Sequence, residues 1–121
     1  MTATTERRDG DMLSALSNEM VALYKSHLGR GPTKARSHWA GDDAVLVTLE
    51  DSLTPAEHRL VELGEHARLR DARTFSQYAT VPEFVEIVER LTGREVRSFV
   101  SGIDTMADVC SEVFYFEPTE E

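Results

Sequence analysis

Three cations stand close together in a chain that is otherwise acidic. Arg30, Lys34 and Arg36 lie in the segment Gly29-Arg30-Gly31-Pro32-Thr33-Lys34-Ala35-Arg36, which contains no acid. The whole protein has 13 Lys and Arg against 22 Asp and Glu, a formal charge of −9. Two glycines let the backbone turn its amides toward one point, and successive amides in such a turn form an anion-binding concavity. Arginine adds a planar fork suited to carboxylate, phosphate or bicarbonate. Alternate residues of a strand share a side, so Lys34 and Arg36 would point the same way. A small anion is therefore the candidate ligand of Arg30, Lys34 and Arg36. The competing reading is that the glycines only end a helix and the cations pair with surface acids. The segment is not a Walker loop, because the spacing and the Gly-Lys-Ser/Thr end are absent.

Other chemistry-bearing residues carry weaker patterns. His58, Glu62 and His66 follow one side of a helix at i, i+4 and i+8, and their side chains suit zinc. They lie opposite Leu60, Gly64 and Ala67, however, and two turns separate the histidines, so a solvated face is expected and no metal site. His27 falls on an apolar helical stripe and reads as a core histidine whose N–H meets a backbone carbonyl. Cys110 sits in an expected strand with no histidine close in sequence, which predicts a buried, inert thiol. Ser101-Gly102 lacks the Gly-x-Ser-x-Gly of a nucleophile elbow. Trp39 and Tyr24 could stack a base, but such aromatics more often belong to a core. No catalytic constellation and no cofactor motif emerge.

Composition bounds the remaining possibilities. The chain has 121 residues, a length that corresponds to one domain. Its charge repels nucleic acid and anionic lipid over most of the surface. A nucleic-acid-binding regulator working through Gly29–Arg36 is the alternative function, and the charge opposes it. One cysteine cannot form an internal disulfide. The first residues carry no apolar signal-peptide core, and no apolar run approaches the ~20 residues of a bilayer span. These features predict a cytoplasmic address.

The elements that must position these residues follow from patterning. Residues 1–10 are expected as a disordered tail, 11–118 as a single domain and 119–121 as an acidic tail. A helix from Asp11 carries Leu13, Leu16, Met20, Leu23, Tyr24 and His27 at helical spacing, and Gly29 ends it. Lys34–Trp39 and Ala44–Glu50 predict a hairpin around Ala40-Gly41-Asp42-Asp43. Thr54-Pro55-Ala56-Glu57 is a capping box with proline at the first helical position. The helix it opens is expected to run on through Gly64, Phe75 and Tyr78 and to kink or restart at Pro82. Phe84, Val85, Val88 and Leu91 form a second stripe, closed by Gly93. A second hairpin joins Glu95–Ser101 to Val109–Phe116. The expected fold is α+β: a four-stranded antiparallel sheet of two β-hairpins with helices packed on it, in the order α-ββ-α(kinked)-ββ. Both hairpins are apolar on both faces, more than one solvated face allows. A homo-oligomer, most simply a dimer, is expected, the alternative being that the aromatic end of the second hairpin packs under the first helix of the same chain.

Four segments read together carry a resemblance. They are Gly29–Arg36, Leu53-Thr54-Pro55-Ala56-Glu57, Phe84–Arg94 (FVEIVERLTGR) and Val96–Pro118 with its Ser101-Gly102 turn. Over residues 11–118 the chain resembles a bacterial family first described as a domain of unknown function. That family was later named for the C component of a Na+-translocating, membrane-potential-generating system (Mps C-like). The resemblance implies a small accessory or regulatory protein beside a membrane system for cation translocation or inorganic-carbon uptake. It implies no catalytic residues.

Overall fold

The computed structural model describes residues 3–119 of the chain. Helix α1 spans Ala3–Leu28. Residues 3–10 therefore continue the helix and do not form the expected tail. Apart from Gly10, nothing in that stretch breaks a helix, so Asp11 is an interior residue and not the cap. Met1 and Thr2, and Glu120 and Glu121 of the expected acidic tail, lie outside the described residues. Leu16, Met20 and Tyr24, four residues apart, form the buried face of α1. Gly29 ends it at φ 78°, with its amide donating to the Lys25 carbonyl at 2.8 Å.

Strands β1 (Lys34–Trp39), β2 (Ala44–Glu50), β3 (Val96–Asp104) and β4 (Val109–Phe116) form one antiparallel sheet in the order β1-β2-β4-β3. Both expected hairpins are present, joined through their second strands. Val45, Val47 and Leu49 of β2 and Cys110, Phe114 and Phe116 of β4 are fully buried on one face. The helices lie on that face alone: α1 along β1, and α4 (Val81–Thr92) between α1 and β3. Phe84, Ile87 and Val88 are the buried face of α4. Phe84 packs against Tyr24, Phe99 and Phe114, so one aromatic cluster joins α1, α4, β3 and β4.

The middle of the chain departs from expectation. The single kinked helix is three helices: α2 (Pro55–Glu62), α3 (His66–Ala79) and α4. The first break falls at Gly64, whose φ of 74° needs a residue without a Cβ. The second falls at Thr80, just before Val81-Pro82, where a kink or restart is expected. The Thr54–Glu57 capping box forms as expected, with both reciprocal hydrogen bonds present. The similar spacing at Thr80–Glu83 does not form one: the Thr80 hydroxyl donates back to the Ser76 carbonyl at 2.7 Å.

Helix α3 also presents a different face from the one its apolar residues suggest. Leu69, Arg73 and Gln77 are buried, while Phe75 is 78% exposed and Tyr78 is 42% exposed. Urea denaturation checks this orientation. Leu69→Ala should cost about 2–4 kcal/mol, as a buried large-to-small change does. Phe75→Ser should stay within about 0.5 kcal/mol of the parent.

Candidate functional site

The interior between α3 and the sheet is polar. Four-residue spacing brings Arg73 and Gln77 of α3 inward behind Leu69. Strand β4 presents Glu112 to the same space, between Cys110 and Phe114 on its inner face. Glu112 is 0% exposed and Arg73 is 2% exposed. The cross-strand neighbours of Glu112 are Val47 on β2 and Ser101 on β3.

Two linked sets of hydrogen bonds occupy this space. In one, the Tyr24 hydroxyl of α1 donates to Glu112 Oε1, and the Gln77 amide donates to the same oxygen at 3.0 Å. The Gln77 amide also donates to the Ser101 hydroxyl. In the other, Arg73 donates to Glu57 Oε1 at 2.9 Å and to Ser52 Oγ at 2.8 Å, and lies 3.6 Å from Cys110 Sγ. The Arg73 guanidinium also lies over the Tyr24 ring, 5.8 Å from its centroid. Two atoms have no partner among the described residues: Arg73 Nε and Glu112 Oε2.

The electrostatics follow from burial. Desolvation disfavours an ionised carboxyl, and it raises the Glu112 pKa to about 7 against the donors Tyr24, Ser101 and Gln77 and the Arg73 charge. Burial and the neighbouring Glu112 push the Tyr24 phenol well above its ordinary range, so it stays a donor. Burial likewise pushes the Cys110 thiol up, which keeps it protonated and unreactive. The cluster thus holds one permanent cation, Arg73, one paired anion, Glu57, and one acid that titrates near neutrality.

A narrow slot between α1 and α3 leads to this cluster. Leu23, Tyr24, His27, Arg73, Gln77 and Phe84 line it, and it has room for one water-sized group. His27 is exposed at its mouth and is not the core histidine expected from its stripe. It falls in the last turn of α1, where the buried face ends at Tyr24.

The expected anion ligands are placed differently. The Arg30 guanidinium pairs with Asp51 at 3.0 Å, and Lys34 pairs with Glu50 at 3.5 Å across the β1–β2 hairpin. Arg36 is exposed on the same outward side as Lys34. Two of the three cations are therefore engaged by acids. The Thr33 hydroxyl and Arg30 together hold the Asp51 carboxyl below the ordinary carboxylate range.

His58, Glu62 and His66 do not share a helix. His58 and Glu62 belong to α2, while His66 opens α3 beyond Gly64 and meets the Thr105 hydroxyl at 2.7 Å. His58 instead approaches Asp108, and with Asp51 these place one donor atom each within 4.8 Å of one another. Both carboxylates are already occupied. Asp51 holds Arg30 and Thr33, and Asp108 accepts from the Ser52 and Leu53 amides. They act as a clasp between the end of β2 and the β3–β4 turn. Trp39 packs on Phe116 and Tyr24 lies in the core, which accounts for both aromatics without a stacked base.

Neither Arg73 nor Glu112 stands out in the sequence by local pattern. One signal for Glu112 was present: it falls on the Cys110–Phe114–Phe116 side of an apolar strand. Arg73 and Gln77 carry a similar signal, four and eight residues after Leu69.

A family model described as the Na+-translocating membrane potential-generating system (MpsC) matches residues 8–118. No curated protein and no solved structure matches the chain. Among the described residues, no helix is long and apolar enough to cross a membrane.

The cluster makes two predictions for equilibrium unfolding. Thr54→Ala removes one cap and should cost about 1 kcal/mol. Glu57→Ala also leaves the Arg73 charge uncompensated and should cost about 3–5 kcal/mol; equal costs would refute the coupling. The second concerns pH. Between the ordinary carboxyl value of 4.5 and about 7, folded protein holds a Glu112 proton that the unfolded chain has released. The stability this group contributes is full below that window, falls as pH rises through it, and is lost above about 7. Melting curves of the parent should show this decline relative to Glu112→Gln, which cannot titrate.

Proposed function

The chain belongs to the MpsC family, and from that premise we propose that it serves a Na+-translocating membrane potential-generating system as a non-catalytic accessory domain whose packing responds to protons. Glu112 carries this reading. It is fully buried, has one unpartnered oxygen, and titrates at about 7. Buried acids with raised pKa values gather at functional sites. An acid serving in catalysis must also reach a substrate. The slot lined by its neighbours Tyr24, Arg73 and Gln77 has room only for a group of water size, so the proton is the ligand best matched to this site.

The response has a structural route. Glu112 is the point where α1, α3, β3 and β4 meet through Tyr24, Gln77 and Ser101. As a neutral acid it leaves α3 packed on an uncharged partner. As a carboxylate it places a second anion beside a guanidinium already paired with Glu57. That loosens α3 or draws Arg73 toward Glu112 and away from the start of α2.

The charge of −9 disfavours contact with anionic headgroups. The proposed contact with the membrane system is therefore between proteins. The anion reading of Arg30, Lys34 and Arg36 has less support, since Arg30 and Lys34 each hold an acid.

Cells lacking this chain provide the test. Membrane potential would be followed with a voltage-sensitive dye during Na+ steps, at pH values on either side of about 7. Removal of the chain should reduce the Na+-dependent potential, and the parent should restore it. Glu112→Gln should restore it without the parent's pH dependence. An unchanged potential on removal would sink the accessory role. A Glu112→Gln response identical to the parent's would sink the proton-sensing element alone.

A further inference from the structure

The side of the sheet away from the helices carries no other element of this chain among the described residues. The strand register fixes what it presents. One row crosses the four strands as His38, Leu46, Val113 and Val100. The row toward one end contains Ala44, Tyr115 and Ser98. The row at the other end is Lys34, Glu50, Val109 and Asp104. A solvated antiparallel face is ordinarily polar. Here the fourth row, Arg36, Thr48, Ser111 and Gly102, is polar, but beside it lies an apolar patch in which Leu46 and Val113 are half-buried, Val100 is 49% exposed and Tyr115 is 37% exposed.

We infer that two copies of this chain pair face to face through this side of the sheet, about a twofold axis parallel to the strands. Charge favours a second copy here. Two chains of charge −9 repel over most of their surfaces. On this face Lys34 and Arg36 offset Glu50 and Asp104, so like copies approach here without net repulsion.

The register also makes the face self-complementary. A twofold axis along the strands keeps each row opposite itself and exchanges β1 with β3 and β2 with β4. Lys34, which already holds Glu50 of its own hairpin, then also faces the partner's Asp104, and this pair occurs twice. Leu46 faces the partner's Val113, and small Ala44 faces the partner's Tyr115. Arg36 faces the partner's Gly102, which adds no side chain. Stacked sheets sit about 10 Å apart, which suits side chains of these sizes.

The area sets the strength. Four strands about 4.8 Å apart and about seven residues long make a plane of roughly 400 Å² on each copy. The pair together covers roughly 800 Å², below the ~1,000 Å² that marks a stable interface, so a weak, transient dimer with a dissociation constant at roughly the high-micromolar end is expected.

Sedimentation of the full chain across low to high micromolar concentrations tests the pairing, with melting temperature as the fold control. The parent should show a reversible monomer–dimer equilibrium. Val113→Asp should weaken it about tenfold or more by burying two unpaired charges. The axis has its own test, because Lys34→Asp and Asp104→Lys each place like charges opposite one another twice. Mixing the two variants makes both contacts opposite in sign and should restore dimer. Asp104 also accepts from the Met106 and Ala107 amides of its turn, so the melting control matters most for that variant. A parent that stays monomeric throughout overturns the inference, whether or not it then binds vesicles or another protein. A Val113→Asp dimer as tight as the parent's also overturns it. Failure of the mixture to restore dimer overturns the axis.

Discussion

A guanidinium cannot be left unpaired in a protein interior, and the packing of this domain is organised around that constraint. Arg73 is 2% exposed, and its neutralising partner is Glu57. Glu57 is also the third helical residue of α2, where one of its oxygens accepts from the Thr54 amide. The same oxygen therefore starts one helix and balances the buried charge of the next. Ser52, just beyond β2, takes a second guanidinium N–H, and Tyr24 offers its ring face. Removing a partner from such a pair leaves a bare charge, which is far more costly than never having had the pair. The ion pair thus links the docking of α2, α3 and α1 to the end of β2.

Glu112 depends on that arrangement. Because Arg73 is already held by Glu57 and Ser52, it approaches Glu112 only as a neighbouring charge and not as a hydrogen-bond donor. Desolvation then outweighs the stabilising contacts and the pKa rises. A direct Arg73–Glu112 pair would have lowered it. The site is thus poised because its cation is committed elsewhere. Acid, phenol, amide and guanidinium are assembled here, and the slot lined by Tyr24, Arg73 and Gln77 has room for one water-sized group.

The parts of this fold that were legible in the sequence are local. The Thr54–Glu57 box, the Gly29 and Gly93 stops and the two hairpins each depend on residues a few positions apart. The sheet order required the joining of hairpins through β2 and β4, which no short-range pattern specifies. Helix α3 was misread for a physical reason: its inward face is Leu69, Arg73 and Gln77, and its large aromatic, Phe75, points to solvent. A reading by hydrophobicity inverts such a helix. The cation segment was legible as a local basic run, but its acids were not part of it. Asp51 and Glu50 arrive from across the hairpin, where register sets Glu50 opposite Lys34. His58 was likewise grouped with residues on its own helix, although its neighbours Asp51 and Asp108 come from two other parts of the fold.

The same inversion recurs in the sheet and links the two proposals. Its inner face holds Glu112, Ser101 and Ser37 among the apolar side chains, while its outer face has Leu46, Val113, Val100 and Tyr115 near the centre. Polarity that would ordinarily meet solvent is enclosed, and apolar surface that would ordinarily be enclosed is outward. Strand β4 carries both, with Glu112 facing α3 and Val113 facing away. Close-packed interiors transmit displacement because they have little free volume to absorb it. A shift of β4 on ionisation of Glu112 would therefore move Val113 and Tyr115, the side chains that form the proposed interface. If the dimer forms there, its affinity and the protonation of Glu112 are thermodynamically linked, and each must bias the other by the same free energy. Under the proposed function such a domain acts on a membrane system without a catalytic residue. It needs only an outer face whose fit to a partner changes with the charge state of the core.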